Sequence, residues 1–479
     1  MFKMTKRKES PLLRKSAIAL AVALVFSAGP VMAADVTYNG DTDKSLLQDI
    51  VSGDNHDLAT PLAGSRTASV TGNNVTVTGT EDAIPGSVFG GFNNADASNV
   101  TNNTVNINAT TSAVEIQGNV WGGLVDDNAT TGASVNQNTV KITGHATNSI
   151  LVGGTINLSG TITEDITQGT VAGAGSTVGN GTSNQVHIDN AAGGSVTVGG
   201  NVSGSTTGAT NLDVTSGVVF GNHAVNNSTG NSVTIDNVDG TVAIGGTVNL
   251  TSVVADHFML HGGMVAGGWS DDHITGNASQ NSATINNSEG GTVTVGGNVT
   301  VTSSTSQRLH VNNGNVIGAV AHMDGTLRSN TVDINNDGGT VTVGGDVSLG
   351  TVNSVETLAS GNVAGSWSGD DGVSAAAVGS QAHISNNGGT VNVGGSLTIS
   401  NINGTDPNTS TDIVASNVFG SKSEGRGDGS NNRVSITNVT GDVNVGGGFY
   451  THCCSFRRGK YKYQPQQCRW WLEWDWPGK

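Results

Sequence analysis

Cysteine, aromatic residues and charge are scarce in this chain of 479 residues, where aromatics make up 4% and charged residues 12%. The three cysteines, Cys453, Cys454 and Cys468, all lie beyond residue 450. The long preceding part of the chain therefore holds its structure without disulfides. Stacked strands, hydrogen-bonded along a common axis, are a sufficient alternative.

Basic residues are scarcest in the middle of the sequence. Residues 34–449 contain 8 Lys/Arg and 34 Asp/Glu by count, a balance of 8 − 34 = −26. A strongly acidic body without a basic patch is a poor nucleic-acid binder, so nucleic acid is excluded as a partner. Negative charge also favours solubility.

Long apolar runs are absent except near the N terminus. A basic segment from Lys3 to Lys15 precedes an apolar stretch, Ala17–Phe26, and small residues follow up to Ala33. This is the pattern of a signal peptide read by Sec-type export machinery, with cleavage between Ala33 and Ala34. The apolar stretch is about half of the ~20 residues that a spanning helix needs. The sequence thus predicts no membrane span in the mature chain.

One short phrase recurs through the remainder of the chain. It reads Gly-Ser-Val-Thr-Val-Gly-Gly at Gly194–Gly200, and close variants of it begin at Gly240, Gly291, Gly339, Gly389 and Gly441. Subtraction gives spacings of 46, 51, 48, 50 and 52 residues. Alternating apolar and polar residues that end in a turn predict a short half-buried strand. A strand that recurs at a near-fixed interval indicates a solenoid.

Two further phrases accompany the first in each repeat. One is Gly-x-Val-apolar-Gly, as at Gly263–Gly267, and the other is Asn-x-Val-x-Ile, as at Asn231–Ile235. The Asn and Gly residues between these strands suit turns that need positive φ. Asparagines at one place in every repeat are expected to form hydrogen-bonded ladders along the stack.

These patterns predict an all-β protein, a right-handed parallel β-helix with repeats of about 46–52 residues. Residues 1–33 are the signal peptide, 34–70 a cap, 71–449 the β-helical repeats and 450–479 an aberrant, disordered tail. A helix is expected at most around Lys44–Val51. At about 20 residues per coil, the repeats would give roughly 20 coils and a rod of around 100 Å. Disorder is the alternative for such a Gly- and Ser-rich chain, but periodic Val and Ile oppose it.

A long basic signal followed by Gly/Asn/Thr/Val repeats resembles the passenger domains of bacterial autotransporters, the type V secreted adhesins. The resemblance covers about residues 34–449. It implies a right-handed β-helix exported through a C-terminal outer-membrane barrel and acting in adhesion or self-association. We expect no such barrel here, because few residues follow the last repeat and barrel strands need ~10-residue alternating segments.

The composition changes abruptly after Phe449, where four of the seven tryptophans and all the cysteines are found. Back-translation of Lys460–Trp476, read one base later, yields a sequence such as Asn-Ile-Asn-Ile-Ser-x-Asn-Asn-Val-x-Gly-Gly. This resembles the repeats, so the sequence predicts a frameshift near residues 451–453. A genuine basic and aromatic tail that contacts a membrane or ligand is the alternative.

No catalytic constellation or cofactor motif is present. Three aspartate pairs follow the Gly-x-Val-apolar-Gly phrase: Asp126 and Asp127, Asp271 and Asp272, and Asp370 and Asp371. They are candidates for weak calcium binding or for solvated loops, since carboxylates suit a hard cation.

His257, His261 and His273 form the closest histidine group, without the glutamate of a metalloprotease motif. Arg426, Gly427 and Asp428 form a candidate cell-attachment tripeptide in a polar loop.

The sequence therefore predicts a secreted structural and interaction protein rather than an enzyme: the β-helical passenger of an adhesin. Its partners would be a host-cell surface protein or glycan, or other copies of itself. Without a barrel, the chain would be a truncated product that stays in the periplasm instead of reaching the cell surface. The alternative is a β-helical enzyme acting on polysaccharide, although such enzymes gather carboxylates and basic residues in one groove.

Overall fold

The computed structural model describes residues 35–38, 50–51 and most of 70–455. Within the last span, the undescribed residues are 81–82, 85, 94–98, 126–132, 163, 177–178, 192, 225, 271–275, 322–324, 356, 369–375, 403–411, 425–428 and 447–448. The predicted signal peptide, most of the predicted cap and most of the tail lie outside the described residues. Where a helix was considered, Ile50–Val51 is a strand.

The described residues form strands and turns, and their strand pairings are parallel. One central coil shows the path of the chain. It runs from Ser228–Thr229 to Ser232–Val238, then to Thr241–Ile244, and then along Val248–Ser270 before the next coil begins at Ala278–Ser279. Each strand pairs in register with the equivalent strand of the next coil. This confirms the predicted parallel β-helix.

We name the sides of the solenoid by the order in which each coil reaches them. The corner strands are Val70–Thr71, Val100–Thr101, Val135–Asn136, Gly181–Thr182, Ser228–Thr229, Ala278–Ser279, Leu327–Arg328 and Ala377–Val378. The face 1 strands are Asp35–Tyr38, Asn74–Val77, Thr104–Asn108, Thr139–Thr143, Gln185–Asn190, Ser232–Val238, Ser282–Ser288, Thr331–Asp337, Gln381–Val393 and Arg433–Val445. The last two continue into face 2, whose other strands are Val114–Ile116, Ile150–Val152, Ser195–Val198, Thr241–Ile244, Thr292–Val295 and Thr340–Val343.

The remaining strands form a lobe and then face 3. The lobe contains Ile156–Gly160, Val299–Ser304, Val347–Val352 and Leu397–Ile402, together with the first halves of Val202–Ala224 and Val248–Ser270. Those two long strands continue into face 3, with Ile50–Val51, Val88–Phe89, Phe92–Asn93, Val120–Val125, Ile166–Ser176, Arg308–Ala321, Thr357–Ser368, Asp412–Ala415, Val418–Glu424 and Phe449–Ser455.

One coil corresponds to one whole repeat, so the expected coil of about 20 residues is wrong. Face 1 register partners Thr139, Gln185, Ser232, Ser282 and Thr331 are 46, 47, 50 and 49 residues apart by subtraction. Face 1 contains ten described strands, and nine spacings of ~4.8 Å give a length of about 43 Å rather than 100 Å. The residues between the phrase that ends in Gly-Gly and the next Gly-x-Val-apolar-Gly account for the difference, because they form the strands of the lobe.

Two separate apolar cores run along the axis. The main core lies between faces 1, 2 and 3 and consists of Val, Ile and Ala side chains, most of them fully buried, such as Val233, Ile235, Val242 and Ile244. The second core fills the lobe, where Phe258 stacks on Leu212 and Leu309 of the neighbouring coils. Alternation along each strand sends every second side chain inward, as the sequence pattern predicted.

A column of glycines separates the two cores. The recurring phrase ends in a pair of glycines, and the first of that pair, such as Gly245, lies against the glycine that opens Gly-x-Val-apolar-Gly, such as Gly263. Gly263 in turn lies against Gly296 of the next coil. The column comprises Gly153, Gly169, Gly199, Gly217, Gly245, Gly263, Gly296, Gly314, Gly344, Gly361 and Gly394. All have positive φ, and an added Cβ would overlap backbone atoms of the neighbour in the column, or Ser416 in the case of Gly394. The two phrases therefore meet where the chain enters and leaves the lobe.

An asparagine ladder marks the turn from each corner strand into face 1. Each Nδ2 donates to the Oδ1 of the next coil's asparagine over 2.7–3.3 Å. Its members are Asn73, Asn103, Asn138, Asn184, Asn231, Asn281 and Asn330, all at most 1% exposed. Ser380 takes the next position, where Ser366 Oγ bridges Asn330 and Ser380. The residue before each ladder position has positive φ, as in Ser183 and Gln280, so the turns and ladder expected from the sequence are confirmed.

A second ladder lies at the other end of face 1. It comprises Asn190, Asn237, Asn287, Asn336, Asn386 and Asn438, linked by Nδ2 to Oδ1 bonds of 2.8–2.9 Å. Each Nδ2 also donates to the carbonyl of the glycine that opens the following phrase, as from Asn237 to Gly240 over 3.0 Å. This bond explains why an asparagine and the repeated phrase occur together in the sequence.

Candidate functional site

The sequence-predicted sites lie outside the described residues. This applies to Asp126 and Asp127, Asp271 and Asp272, Asp370 and Asp371, Arg426, Gly427 and Asp428, and to the cleavage site at Ala33 and Ala34. The strands before the aspartate pairs end at Val125, Ser270 and Ser368, which belong to one column of face 3. Two coils lie between Val125 and Ser270, and one between Ser270 and Ser368. The chain thus leaves face 3 before each of the three pairs at a different level of the stack.

The histidines considered in the sequence are on a strand. His257 and His261 belong to Val248–Ser270, and His273 lies outside the described residues. The ring of His261 packs edge-on against Trp269 with centroids 5.5 Å apart, and His257 lies 4.9 Å from His310 of the next coil. In the described part of the chain, no group of three or more His, Cys, Asp or Glu side chains could hold a metal ion.

The outer surface of face 1 carries columns of mostly polar side chains at the strand spacing. One column is Asp236, Asn286, Asn335 and Ser385, and a parallel one is Val238, Ser288, Asp337 and Asn387. The buried residues of the second asparagine ladder lie between the two columns. Together they line a groove of 380 Å³ that extends over four coils. We call this surface the polar groove.

Hydrogen bonds along the columns hold the groove side chains in place. Asn286 Nδ2 donates to Asp236 Oδ1 over 2.6 Å, and Asn335 Nδ2 donates to Asn286 Oδ1 over 2.9 Å. In the parallel column, Asn387 Nδ2 donates to Asp337 Oδ1 over 2.9 Å. These bonds order the amides, and each amide or carboxylate still has unused donor or acceptor positions for a ligand.

Two histidine–aspartate contacts lie on the same face. His187 Nε2 lies 2.7 Å from Asp236 Oδ2, and His383 Nδ1 lies 3.5 Å from Asp333 Oδ1. The side chains of His187 and Asp236 are 37% and 36% exposed, so their interaction is screened by solvent. The side chains along the groove thus offer carboxylate, amide and hydroxyl groups that can hydrogen-bond to a polar ligand.

The groove was not predicted from the sequence, although its residues belong to the repeats. Asp236 and Asn335 directly follow the Asn-x-Val-x-Ile phrase, and Asn286 follows its variant Asn-Ser-Ala-Thr-Ile in the repeat between them. Strand alternation alone would have placed them outward at the same position. The sequence does not show the pairing register between coils. The register determines which of these residues become neighbours.

Comparisons with known proteins gave no match: no protein-family model, no curated protein and no solved structure is similar to this chain. Among the described residues, no helix is long and apolar enough to cross a membrane.

Proposed function

We propose that this chain is a secreted β-helical adhesin of the autotransporter passenger type, acting in adhesion or self-association. The observation that carries the proposal is a parallel β-helix whose face 1 holds an ordered polar groove over four coils. The sequence supports export, because a signal-type N terminus precedes an acidic chain without cysteines up to residue 450. The chain resembles autotransporter passengers in its repeats and in its composition.

A scaffold function fits the chemistry of the groove. Asp236 and Asp337 are its carboxylates, and they are separated by two coils in different columns with amides between them. Amides and carboxylates held at a regular spacing can hydrogen-bond to the hydroxyl or amide groups of a repeating polymer. The proposed partner is therefore a host-surface protein or glycan, or a second copy of the rod.

The test is binding of the purified mature chain to cultured epithelial cells and to itself. The double variant Asn286→Ala and Asn335→Ala should weaken at least one of these interactions about tenfold, the usual effect of removing two ligand hydrogen bonds. The matched control is Thr294→Ala with Thr342→Ala, two outward residues of face 2 in the same neighbouring coils.

Two outcomes would contradict the proposal. A mature chain that neither binds cells nor self-associates has no adhesin activity. Release of oligosaccharides from soluble polysaccharides would instead favour the β-helical enzyme.

A further inference from the structure

The polar groove repeats its side chains along the axis of the rod rather than across it. Its first column carries Asp236, Asn286, Asn335 and Ser385, one from each of four successive coils. Neighbouring strands lie about 4.8 Å apart, so the column extends over about 14 Å. The parallel column lies two residues further along each strand, about 7 Å away. A ligand that meets equivalent groups at every coil must therefore lie parallel to the axis.

The floor of the groove has few hydrogen bonds to offer a ligand. Asn237 and Asn287 belong to the second asparagine ladder and are at most 2% exposed. Asn287 Nδ2 donates to Asn336 Oδ1 over 2.8 Å and to the carbonyl of Gly291 over 2.8 Å. Because the ladder uses its own donors, recognition of a ligand depends on the side chains of the two columns.

Each amide of the first column keeps both a donor and an acceptor position for a ligand. Asn335 Nδ2 gives one N–H to Asn286 Oδ1, and Asn286 Nδ2 gives one to Asp236 Oδ1. An amide nitrogen carries two N–H groups and an amide oxygen has two lone pairs, so neither amide is exhausted by these bonds. A hydroxyl group both donates and accepts. A ligand with hydroxyl groups at every coil therefore matches the column.

The charges of the groove disfavour an anionic ligand. Asp236 and Asp337 lie in the groove, and the residues that line it include no Lys or Arg. Asp239 and Glu289 are exposed in the turns that follow face 1. Like charges brought together without a counterion repel each other and exclude the wrong partner. A polymer that carries sulfate or carboxylate groups is therefore excluded.

A repeating cation also finds too few partners in the groove. Asp236 Oδ1 accepts from Asn286, and Asp236 Oδ2 lies 2.7 Å from His187 Nε2. Asp236 and Asp337 lie two coils apart, and the coil between them presents the amide of Asn286 and the hydroxyl of Ser288. The groups that recur from coil to coil are thus neutral, and they fit a neutral ligand.

The strand spacing distinguishes between two kinds of linear polymer. An extended peptide advances by about 3.4 Å per residue, and its side chains on one side recur about every 7 Å, so it soon loses register with coils about 4.8 Å apart. A pyranose chain linked through equatorial oxygens at C1 and C4 is straight, and each ring advances by close to one strand spacing. Every ring has hydroxyl groups on its edges, so one ring meets one coil.

We propose that the polar groove binds a neutral, straight polysaccharide that lies parallel to the axis with one sugar ring per coil. Chains of β-1,4-linked glucose or N-acetylglucosamine belong to this class. The four coils of the groove accommodate a tetrasaccharide, with the amides of Asn286 and Asn335 at its centre. This inference rests on the proposed adhesin function, for which it names the class of glycan.

Isothermal titration calorimetry of the mature chain with cellotetraose and chitotetraose tests the proposal. Each tetrasaccharide should bind at least tenfold more tightly than its disaccharide, because the disaccharide meets only two of the four coils. Asn286→Ala with Asn335→Ala should weaken binding of the tetrasaccharides about tenfold. The matched control on face 2, Thr294→Ala with Thr342→Ala, should bind them as the unchanged chain does. Circular dichroism of each variant checks that it is folded.

Two related ligands test the linkage and the charge. Maltotetraose joins the same rings in a curved α-linked chain, and oxidised cellotetraose carries a carboxylate on every ring. Both should bind at least tenfold more weakly than cellotetraose. Asp236→Asn with Asp337→Asn should keep the affinity for cellotetraose and raise that for the oxidised ligand, because the repulsion is removed while the groove keeps its shape. This variant tests the proposal even if the alanine variant does not fold.

Three outcomes would overturn the proposal. One is a chain that binds cells or itself but neither tetrasaccharide, and this result would leave the adhesin function intact. Another is equal affinity for cellotetraose and for maltotetraose or the oxidised ligand. The third is tighter binding of an octapeptide of alternating Ser and Gly, since the groove would then recognise an extended peptide. Binding of cellotetraose by a chain that binds neither cells nor itself would support the glycan site and contradict the adhesin function alone.

Discussion

At the residue scale, asparagine and glycine determine where each coil turns. Asn231 is fully buried; its Oδ1 accepts from the backbone N–H and the Nδ2 of Asn184, and its own Nδ2 donates to Asn281. A buried polar side chain is tolerated because these bonds replace its bonds to water. The column glycines serve a complementary purpose, since they let two backbone segments approach where a side chain would prevent contact.

Replacing a ladder residue should therefore be costly. We expect Asn231→Ala to lower the free energy of unfolding by about 3 kcal/mol, because Asn184 and Asn281 both lose a buried partner. Chemical denaturation followed by circular dichroism measures this change. Thr234→Ala, outward on the same strand, is the control and should stay within about 0.5 kcal/mol. Equal effects of the two variants would show that the ladder contributes no stability.

The glycine column can be tested with two glycines of similar backbone conformation. Gly263 and Gly338 both have positive φ, but an added Cβ at Gly263 would overlap Gly296, whereas nothing lies within 4 Å of one at Gly338. Gly338→Ala should lower the free energy of unfolding by about 1 kcal/mol, because it adds backbone strain alone. Gly263→Ala should lower it by about 3 kcal/mol or more, because it adds strain and overpacking together. Thermal unfolding measures the difference, and similar losses would contradict close contact in the column.

At the element scale, the long strand Val248–Ser270 takes part in both cores. Its first half contributes Phe258 and Leu260 to the lobe, and its second half contributes Val265 to the main core. Gly263 lies between these halves, with positive φ, and redirects the strand. The lobe is thus an addition to each coil whose packing is largely separate from that of faces 1 and 2.

This separation predicts local rather than global damage from a lobe substitution. Phe258→Ala removes a fully buried ring, and we expect a loss of about 3–5 kcal/mol. Exchange protection should fall at Leu212 and Leu309, its register partners, and persist at Ser282–Ser288 on face 1. Met259→Ala, whose side chain points to the other side of the strand, is the control. Uniform loss of protection along the coil would mean that the two cores unfold as one.

At the scale of the whole molecule, stability comes from contacts between neighbouring coils. Every described coil pairs with the coil before it or after it, and the rod extends without needing a larger globular core. The rod carries a strongly negative charge along its length, since residues 34–449 have a balance of 8 − 34 = −26. Parallel rods therefore repel each other over the screening distance of the solvent.

Self-association, if the rods use it, should therefore depend on salt. Between ~10 mM and ~150 mM ionic strength, the screening length falls from about 30 Å to about 8 Å, so repulsion between rods weakens. Light scattering should show a rise in average mass over this interval at constant protein concentration. A fall in mass with added salt would show that complementary charges, rather than hydrogen bonds in the polar groove, hold the rods together.

The sequence by itself determined the strands, the length of the repeat and the ladders. Alternating Val and Ile around Val233 and Val242, and asparagines such as Asn231 at fixed positions, report local geometry, which depends on residues close in the chain. It could not give the number of strands per coil, because closure of a coil depends on pairing between residues about 50 positions apart.

Only the tertiary structure revealed the lobe, the contact of Gly245 with Gly263 and the polar groove. Each of these depends on which segments become neighbours across coils, and several registers satisfy the same local alternation. Packing of the second core around Phe258 selects one of them. The aspartate pairs and Arg426–Asp428 remain sequence predictions, since they lie outside the described residues.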